Sequence, residues 1–349
     1  SSYLPEAMGL SDRMIVMSEG RMSGSLGNEE LKQMEEEDVL KLASTIYYED
    51  EQEAGQEMKK NQQRTNMKAL LMKTEVSMVA IIGLIFIAAA VGTENFLTAY
   101  NLTNILKQCA IIGIISIAET YVIITGGIDI SCGAVVGMST LMVAMAQAKW
   151  GLGVPVSMVL GIAVAVIAGL FNAMLVYEFK VPAFVATLGS QTILRGLIKV
   201  ISNGGTVSGI DKGFSGFASN AVLFIPNLAI VWFVIAVICF FLLKYAIFGR
   251  NLFVLGSGEE VAKLNGISIR KTIYSTYAFA GLLYGIAGIL LCARINSAIP
   301  TAGAAYETNA IAASVLGGAS LAGGCGSVFG TVLGTILIIL IDNVGTQFG

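Results

Sequence analysis

Residues 76–91 read VSMVAIIGLIFIAAAV, without a single charge, and this stretch decides the fold. Inside a bilayer no water satisfies backbone N–H and C=O groups, so such a run crosses as a helix that bonds to itself. Leu228–Leu243, Tyr274–Ala293 and Val328–Ile341 have the same character. Working back toward the N-terminus, the pattern changes at a seam near Lys73. What precedes it is charged and soluble in character. The sequence therefore predicts an all-α, polytopic membrane helix bundle behind a short soluble α/β front end.

Composition points the same way. With 55% hydrophobic and 13% charged residues over 349 positions, and a mean hydropathy of +0.75, the chain lies far from an ordinary soluble domain. Forty glycines against five prolines suit closely packed spans, because glycine lets helix backbones approach where lipid offers no hydrophobic drive for association. The net charge of -3 comes from the front end and gives no reason to expect a nucleic-acid partner. Cys109, Cys132, Cys239, Cys292 and Cys325 have no paired spacing, so neither a disulfide framework nor a metal site is indicated. The absence of histidine excludes Ser-His-Asp and Cys-His centres and histidine-ligated zinc. No phosphate loop of the form G-x-x-x-x-G-K-[ST] is present, so no residue set is expected to hold a nucleotide. No catalytic residues and no cofactor are assigned to this chain.

About nine spans are predicted, at 75–92, 102–125, 131–148, 154–177, 182–202, 227–247, 271–293, 306–320 and 327–346. The basic cluster Lys59, Lys60, Arg64, Lys68 and Lys73 just before the first span places the N-terminus in the cytoplasm by the positive-inside tendency. The segment 244–271, with Lys244, Arg250, Lys263, Arg270 and Lys271, falls on the same side. The Gly- and Ser-rich loop 203–226 and residues 296–305 then face outward. Nine spans leave the C-terminus outside, and a tenth is expected to have been lost.

Two Gly-rich interruptions, Thr125–Ser131 (TGGIDIS) and Leu316–Gly324 (LGGASLAGG), each separate two apolar spans. Corresponding breaks in two halves point to an internally repeated transporter with its pathway at the repeat interface. Asp129, at a helix start, either caps free N–H groups or faces the pathway. Glu119, Asn172, Gln191, Arg195, Glu307 and Asn309 are further polar residues inside spans. Exposing such groups to lipid is costly, which directs them to the bundle interior or an interface. Of these, Asp129, Asn172, Gln191, Arg195 and Asn309 are the candidates for the translocation path. Arg195 has a second reading, snorkelling from a span end. A neutral, hydroxylated solute would suit a path of small residues and amides.

Between two spans, Ser257–Leu264 reads as a capped short helix, with Ser257 and Glu260 in capping-box spacing. Asn265–Gly266 ends it, Gly266 serving as a left-handed cap. It is too short to span and too well delimited for slack linker.

The strings TGGIDIS (125–131), VPAFVATLGSQTILRGL (181–197), FGRNLFVLGSGEEVAKLNGI (248–267) and ETNAIAASVLGGASLAGGCGSVFGTVLG (307–334) together resemble the permease subunit of ribose-type monosaccharide ABC importers. The resemblance covers about residues 75–349. Cys132 and Cys325 stand where a small or aliphatic residue is more usual. It implies a multi-pass bacterial inner-membrane protein that does no covalent chemistry and forms the translocation pathway. The implied partners are a separate ABC ATPase subunit carrying ATP and Mg, an extracytoplasmic sugar-binding protein, a second permease copy and the lipid bilayer. It also implies that Ser257, Glu259, Glu260, Ala262, Lys263, Leu264 and Gly266 form a coupling helix that docks on the ATPase. The alternatives are a branched-chain amino-acid-type ABC permease, or an ion-coupled secondary carrier using Glu119 or Asp129.

The front end, SSYLPEAMGLSDRMIVMSEGRMSGSL (1–26), predicts a buried strand at Met14–Met17, a Glu19-Gly20 turn and a second strand from Arg21. It resembles the end of the sugar-importer ATPase, and GNEELKQMEEEDVLKLAS (27–44) resembles that subunit's acidic terminal helix. Ser2 stands where most ABC ATPases carry a switch histidine. The resemblance implies that residues 1–45 are an ATPase remnant without ATPase function, joined by a charged cytoplasmic linker (46–74) to the permease domain (75–349).

Overall fold

The computed structural model describes residues 4, 12–18, 21–35, 37–41 and 74–348. The chain divides into two compact units, Ser1–Lys73 and Thr74–Gly349. The predicted 46–74 linker lies almost wholly outside the described residues, as do Ser2, the Glu19-Gly20 turn and residues 42–44.

In the first unit, β1 (Arg13–Ser18) and β2 (Arg21–Gly27) pair antiparallel, with an irregularity between Val16 and Met17. Val16 and Leu26 bury one face together with Leu31 and Val39. The predicted acidic helix over 27–44 is instead two short pieces. They are α1 (Asn28–Leu31) and a helical segment at 37–41, separated by a turn. The Gly27 backbone N–H donates to Glu30 Oε2 at 2.9 Å, which starts α1.

The second unit is a helix bundle. Its long helices are α2 (Thr74–Gly92), α3 (Ala99–Ile124), α5 (Val154–Tyr177), α6 (Ala183–Ile201), α8 (Asn227–Tyr245), α11 (Ile269–Ile295) and α13 (Val328–Phe348). These seven are long and apolar enough to cross a membrane. The two remaining predicted spans are shorter: α4 (Cys132–Ala148) and α12 (Tyr306–Leu316). The latter stops at Leu316 and not at 320, because Gly318 takes a left-handed φ of +93° and turns the chain out of the helix.

The predicted outer loop 203–226 is more ordered than its composition suggests. It contains α7 (Lys212–Ser219) and a small hairpin of β3 (Ala221–Val222) and β4 (Ile225–Pro226). Asp211 caps α7, its Oδ1 accepting from the Phe214 N–H at 2.8 Å. Val207 and Ala298 form an isolated bridge that ties this loop to the 296–305 segment.

Helix α3 is the axis of the bundle. It is buried almost continuously from Cys109 to Ile124 and packs against α8, α11, α12 and α13. Tyr121 shows how its polar atoms are satisfied: the hydroxyl donates to the Cys239 carbonyl at 2.6 Å, while the ring meets Phe248 and Phe279. Helices α5 and α11 approach so closely that a Cβ on Gly281 would lie 2.6 Å from the Ala165 carbonyl oxygen. Only glycine fits there, which is the physical use of the glycine excess. By contrast, α2 presents Leu84, Ile87 and Val91 outward. That is an apolar surface suited to lipid and not to water.

Two further short helices, α9 (Ile247–Gly256) and α10 (Glu259–Leu264), follow α8 at one end of the bundle. The loops 203–226 and 296–305 lie at the other.

Candidate functional site

The predicted polar residues do not line one surface; they fall in three places. Asp129 and Asn172 belong to a buried network in the middle of the fold. Glu119, on α3, accepts from the Asp129 backbone N–H through Oε1 at 2.9 Å and from the Tyr284 hydroxyl through Oε2 at 3.0 Å. Asp129 Oδ1 in turn accepts from the Ser131 N–H at 2.9 Å and the Ser131 hydroxyl at 2.5 Å. Asn172 Nδ2 donates to Ser131 Oγ at 2.8 Å, and the Ser190 hydroxyl donates to Asn172 Oδ1 at 2.5 Å. Alongside, Thr187 Oγ1 accepts from the Ile130 N–H at 3.1 Å.

This chain of bonds joins α3, the 125–131 break, α4, α5, α6 and α11. It satisfies backbone groups that the break would otherwise leave bare in a low-dielectric interior. Asp129 thus supports the start of α4 by bonding two residues ahead, in the manner of an Asx turn. Among the described residues its other oxygen, Oδ2, is buried without a hydrogen-bond partner, as is the Tyr277 hydroxyl.

Gln191 and Arg195 sit on α6 and turn inward. Gln191 Nε2 donates to Glu307 Oε1 at 2.9 Å. Arg195 donates to the carbonyls of Ala302 and Gly303 at 2.6 and 2.7 Å. The guanidinium therefore ties α6 to the loop before α12, and the snorkelling alternative does not describe its position.

Asn309 stands apart. Its Nδ2 donates to Asp342 Oδ2 at 3.1 Å, in a cleft of about 380 Å³ that also meets Gln108, Arg294 and Tyr306. This cleft lies at the end of the bundle opposite α10.

The predicted short helix is present as α10, with one correction. Ser257 does not cap it, and no capping box forms. The Ser257 hydroxyl donates back to the Phe253 carbonyl at 2.9 Å, because the apolar run before it continues as α9. Gly258, at φ +144°, makes the corner, and the helix begins at Glu259. Its end follows the prediction: Gly266 has φ +69°. The Gly266 N–H bonds to the Lys263 carbonyl at 3.0 Å, and the Ile267 N–H reaches the Ala262 carbonyl at 2.9 Å. This is a complete Schellman ending. Ala262 packs with Leu255 and Ile269 in a small separate core, while Glu259, Glu260, Lys263 and Leu264 face outward.

The two Gly-rich breaks meet at the end of α9, the helix that leads into α10. The Gly324 N–H donates to the Ile124 carbonyl at 2.9 Å. A Cβ on Gly323 would lie 2.8 Å from the Gly256 carbonyl oxygen and 3.1 Å from Gly126 N. The end of α9 is thus wedged against both interruptions at once.

Sequence reasoning missed Ser131, Thr187, Ser190 and Tyr284 as members of the polar network. Ser131, Thr187 and Ser190 lie inside strings already singled out, but nothing in their spacing shows that they converge. Among the described residues no group of three or more His, Cys, Asp or Glu side chains is placed to hold a metal ion.

Comparison with known proteins gives a consistent set of relatives. The family described as branched-chain amino acid transport system / permease component matches residues 101–349. The ribose import permease protein RbsC of Bacillus subtilis (strain 168) is 37% identical, over 74% of this chain and 81% of its own length. The xylose transport system permease protein XylH of Haemophilus influenzae is 32% identical, covering 79% and 90%. The D-allose transport system permease protein AlsC of Escherichia coli (strain K12) is 34% identical, covering 76% and 81%. No solved structure matches.

Proposed function

Because this chain belongs to the family of transport-system permease components, we propose that it is the transmembrane subunit of an ATP-driven ABC importer for a monosaccharide. The observation that carries the reading is the extent of the match: permeases for ribose, xylose and allose align over about three quarters of the chain. The family's printed description concerns branched-chain amino acids, but these relatives are named as ribose import and xylose and D-allose transport permeases, which favours the sugar branch.

In this reading α10 docks on a separate ATPase. Closure of the ATPase pushes α9 and α10, and the contact of Gly256 with both breaks carries the movement to α3, α4, α12 and α13. The solute arrives on an extracytoplasmic binding protein and passes between two permease copies, since a symmetric ATPase dimer presents two docking grooves. The bacterial inner membrane is the expected location. The end with α10 faces the cytoplasm, consistent with Lys244, Arg250, Lys263, Arg270 and Lys271 gathered there. Residues 1–45 are a remnant of the ATPase subunit, a reading supported by the β1–β2 hairpin and α1.

The test is solute selectivity. The chain is reconstituted in vesicles with its ATPase and a monosaccharide-binding protein, and uptake of labelled ribose, xylose, allose and leucine is compared. Uptake of a sugar and not of leucine supports the proposal; uptake of leucine alone refutes it.

A further inference from the structure

The α10 end of the bundle holds two adjoining clefts. The first, of about 360 Å³, opens between the end of α8, α9 and the start of α13. Lys244, Arg250 and Ser327 stand around it, over Phe240, Phe253 and Val328. The second, of about 330 Å³, runs along α8 and α13 past Phe233, Val237, Phe329 and Val332, with an almost wholly apolar lining. Phe240 and Val328 belong to both, so the two form one groove with a cationic head and an apolar tail.

Lys244 and Arg250 are exposed. Among the described residues neither side chain makes an ion pair or a hydrogen bond within the protein. Lys244 Nζ lies 5.4 Å from the ring centroids of Phe240 and Tyr245. Lys244 also stands one residue from the end of the α8 span, the depth at which lipid headgroups meet a membrane helix.

We propose that this groove binds one anionic phospholipid, its phosphate between Lys244 and Arg250 and an acyl chain along the α8–α13 tail. The charge pattern selects the occupant. Two cations without a protein counter-charge attract an anionic headgroup and gain little from a zwitterionic one. The tail has no polar group for a sugar to bond, and a free phosphate would leave it empty. The site adjoins Gly326 and Ser327, close to the junction of the second break with α9, so the lipid would brace the joint through which α10 acts.

The test uses the full chain equilibrated with vesicles of phosphatidylglycerol or phosphatidylcholine, followed by native mass spectrometry of retained lipid. One phosphatidylglycerol per chain is expected to persist in preference to phosphatidylcholine. Each cation near a membrane surface is worth about fivefold, so Lys244→Gln with Arg250→Gln should lower retention about 30-fold. Lys244→Arg with Arg250→Lys should restore it. Ala236→Trp, which fills the tail and leaves both charges in place, should also lower it. Equal retention of the two lipids, or unchanged retention in the charge-neutral double variant, would overturn the proposal. So would displacement of phosphatidylglycerol by glycerol phosphate at equal concentration, which would mark a site for the free anion. Finally, if Ala236→Trp dissociates a dimer while lipid retention is unchanged, the groove is a contact between copies and the proposal fails.

Discussion

Replacing Asn172 with leucine tests the buried network at its hinge. Asn172 is fully buried; it donates to Ser131 Oγ at 2.8 Å and accepts from the Ser190 hydroxyl at 2.5 Å. Leucine keeps the branched four-atom skeleton and opens no cavity, but its methyl groups are bulkier than the amide atoms, so overpacking adds to the loss of the two bonds. Hydrogen bonds between membrane helices average about 0.6 kcal/mol and reach about 1.7 kcal/mol. The buried Ser190 hydroxyl left without its acceptor adds about 1 kcal/mol or more. The expected loss is therefore about 2–4 kcal/mol, enough to measure by detergent-induced unfolding. The assay is unfolding in mixed micelles by titration with a denaturing detergent, run as a double-mutant cycle with Ser190→Ala. A coupling energy of about 0.6–1.7 kcal/mol is expected, because the two variants share one bond. Strict additivity, with each single variant destabilising on its own, would refute the reasoning, since it would mean that Asn172 and Ser190 do not meet.

Three other outcomes follow from specific contacts. Gly281→Ala should cost about 1–3 kcal/mol by overpacking against the Ala165 carbonyl, and Gly281→Leu should leave no folded protein in size-exclusion chromatography. Gly266→Val should loosen α10, because its φ of +69° costs an ordinary residue about 1–2 kcal/mol and a β-branched one more. Gly266→Asn should be tolerated, and retention of the ATPase in pull-down separates the two variants. Arg195→Met removes the donors to Ala302 and Gly303 and should destabilise by about 2 kcal/mol or more, read by the same detergent titration.

The spans were legible because hydropathy needs only composition along the chain: each predicted span contains a helix. The ends were less so. Residues 317–320 look like more of the same small-residue helix, yet Gly318 leaves it. Ser257 illustrates a different difficulty. Its spacing to Glu260 fits a capping box, but the apolar run Leu252–Leu255 extends α9 up to it, and its hydroxyl completes that helix instead. The Gly266 ending was readable because a left-handed turn has few residue solutions. The polar network was hidden for a simple reason: residues 119, 129, 172, 190 and 284 are brought together only by helix packing. Sequence reasoning joined Asn172, Gln191, Arg195 and Asn309, polar inside apolar spans, with Asp129 of the Gly-rich break as candidates for one pathway. Each of them finds a hydrogen-bond partner, and the partners lie in three places.

The most direct test of the account is energy coupling in vesicles containing this chain, its ATPase and a sugar-binding protein. Sugar uptake should require ATP inside the α10-facing compartment and should persist when ionophores collapse the ion gradients. Uptake that continues without ATP and stops with the ionophores would contradict it and point to an ion-coupled carrier.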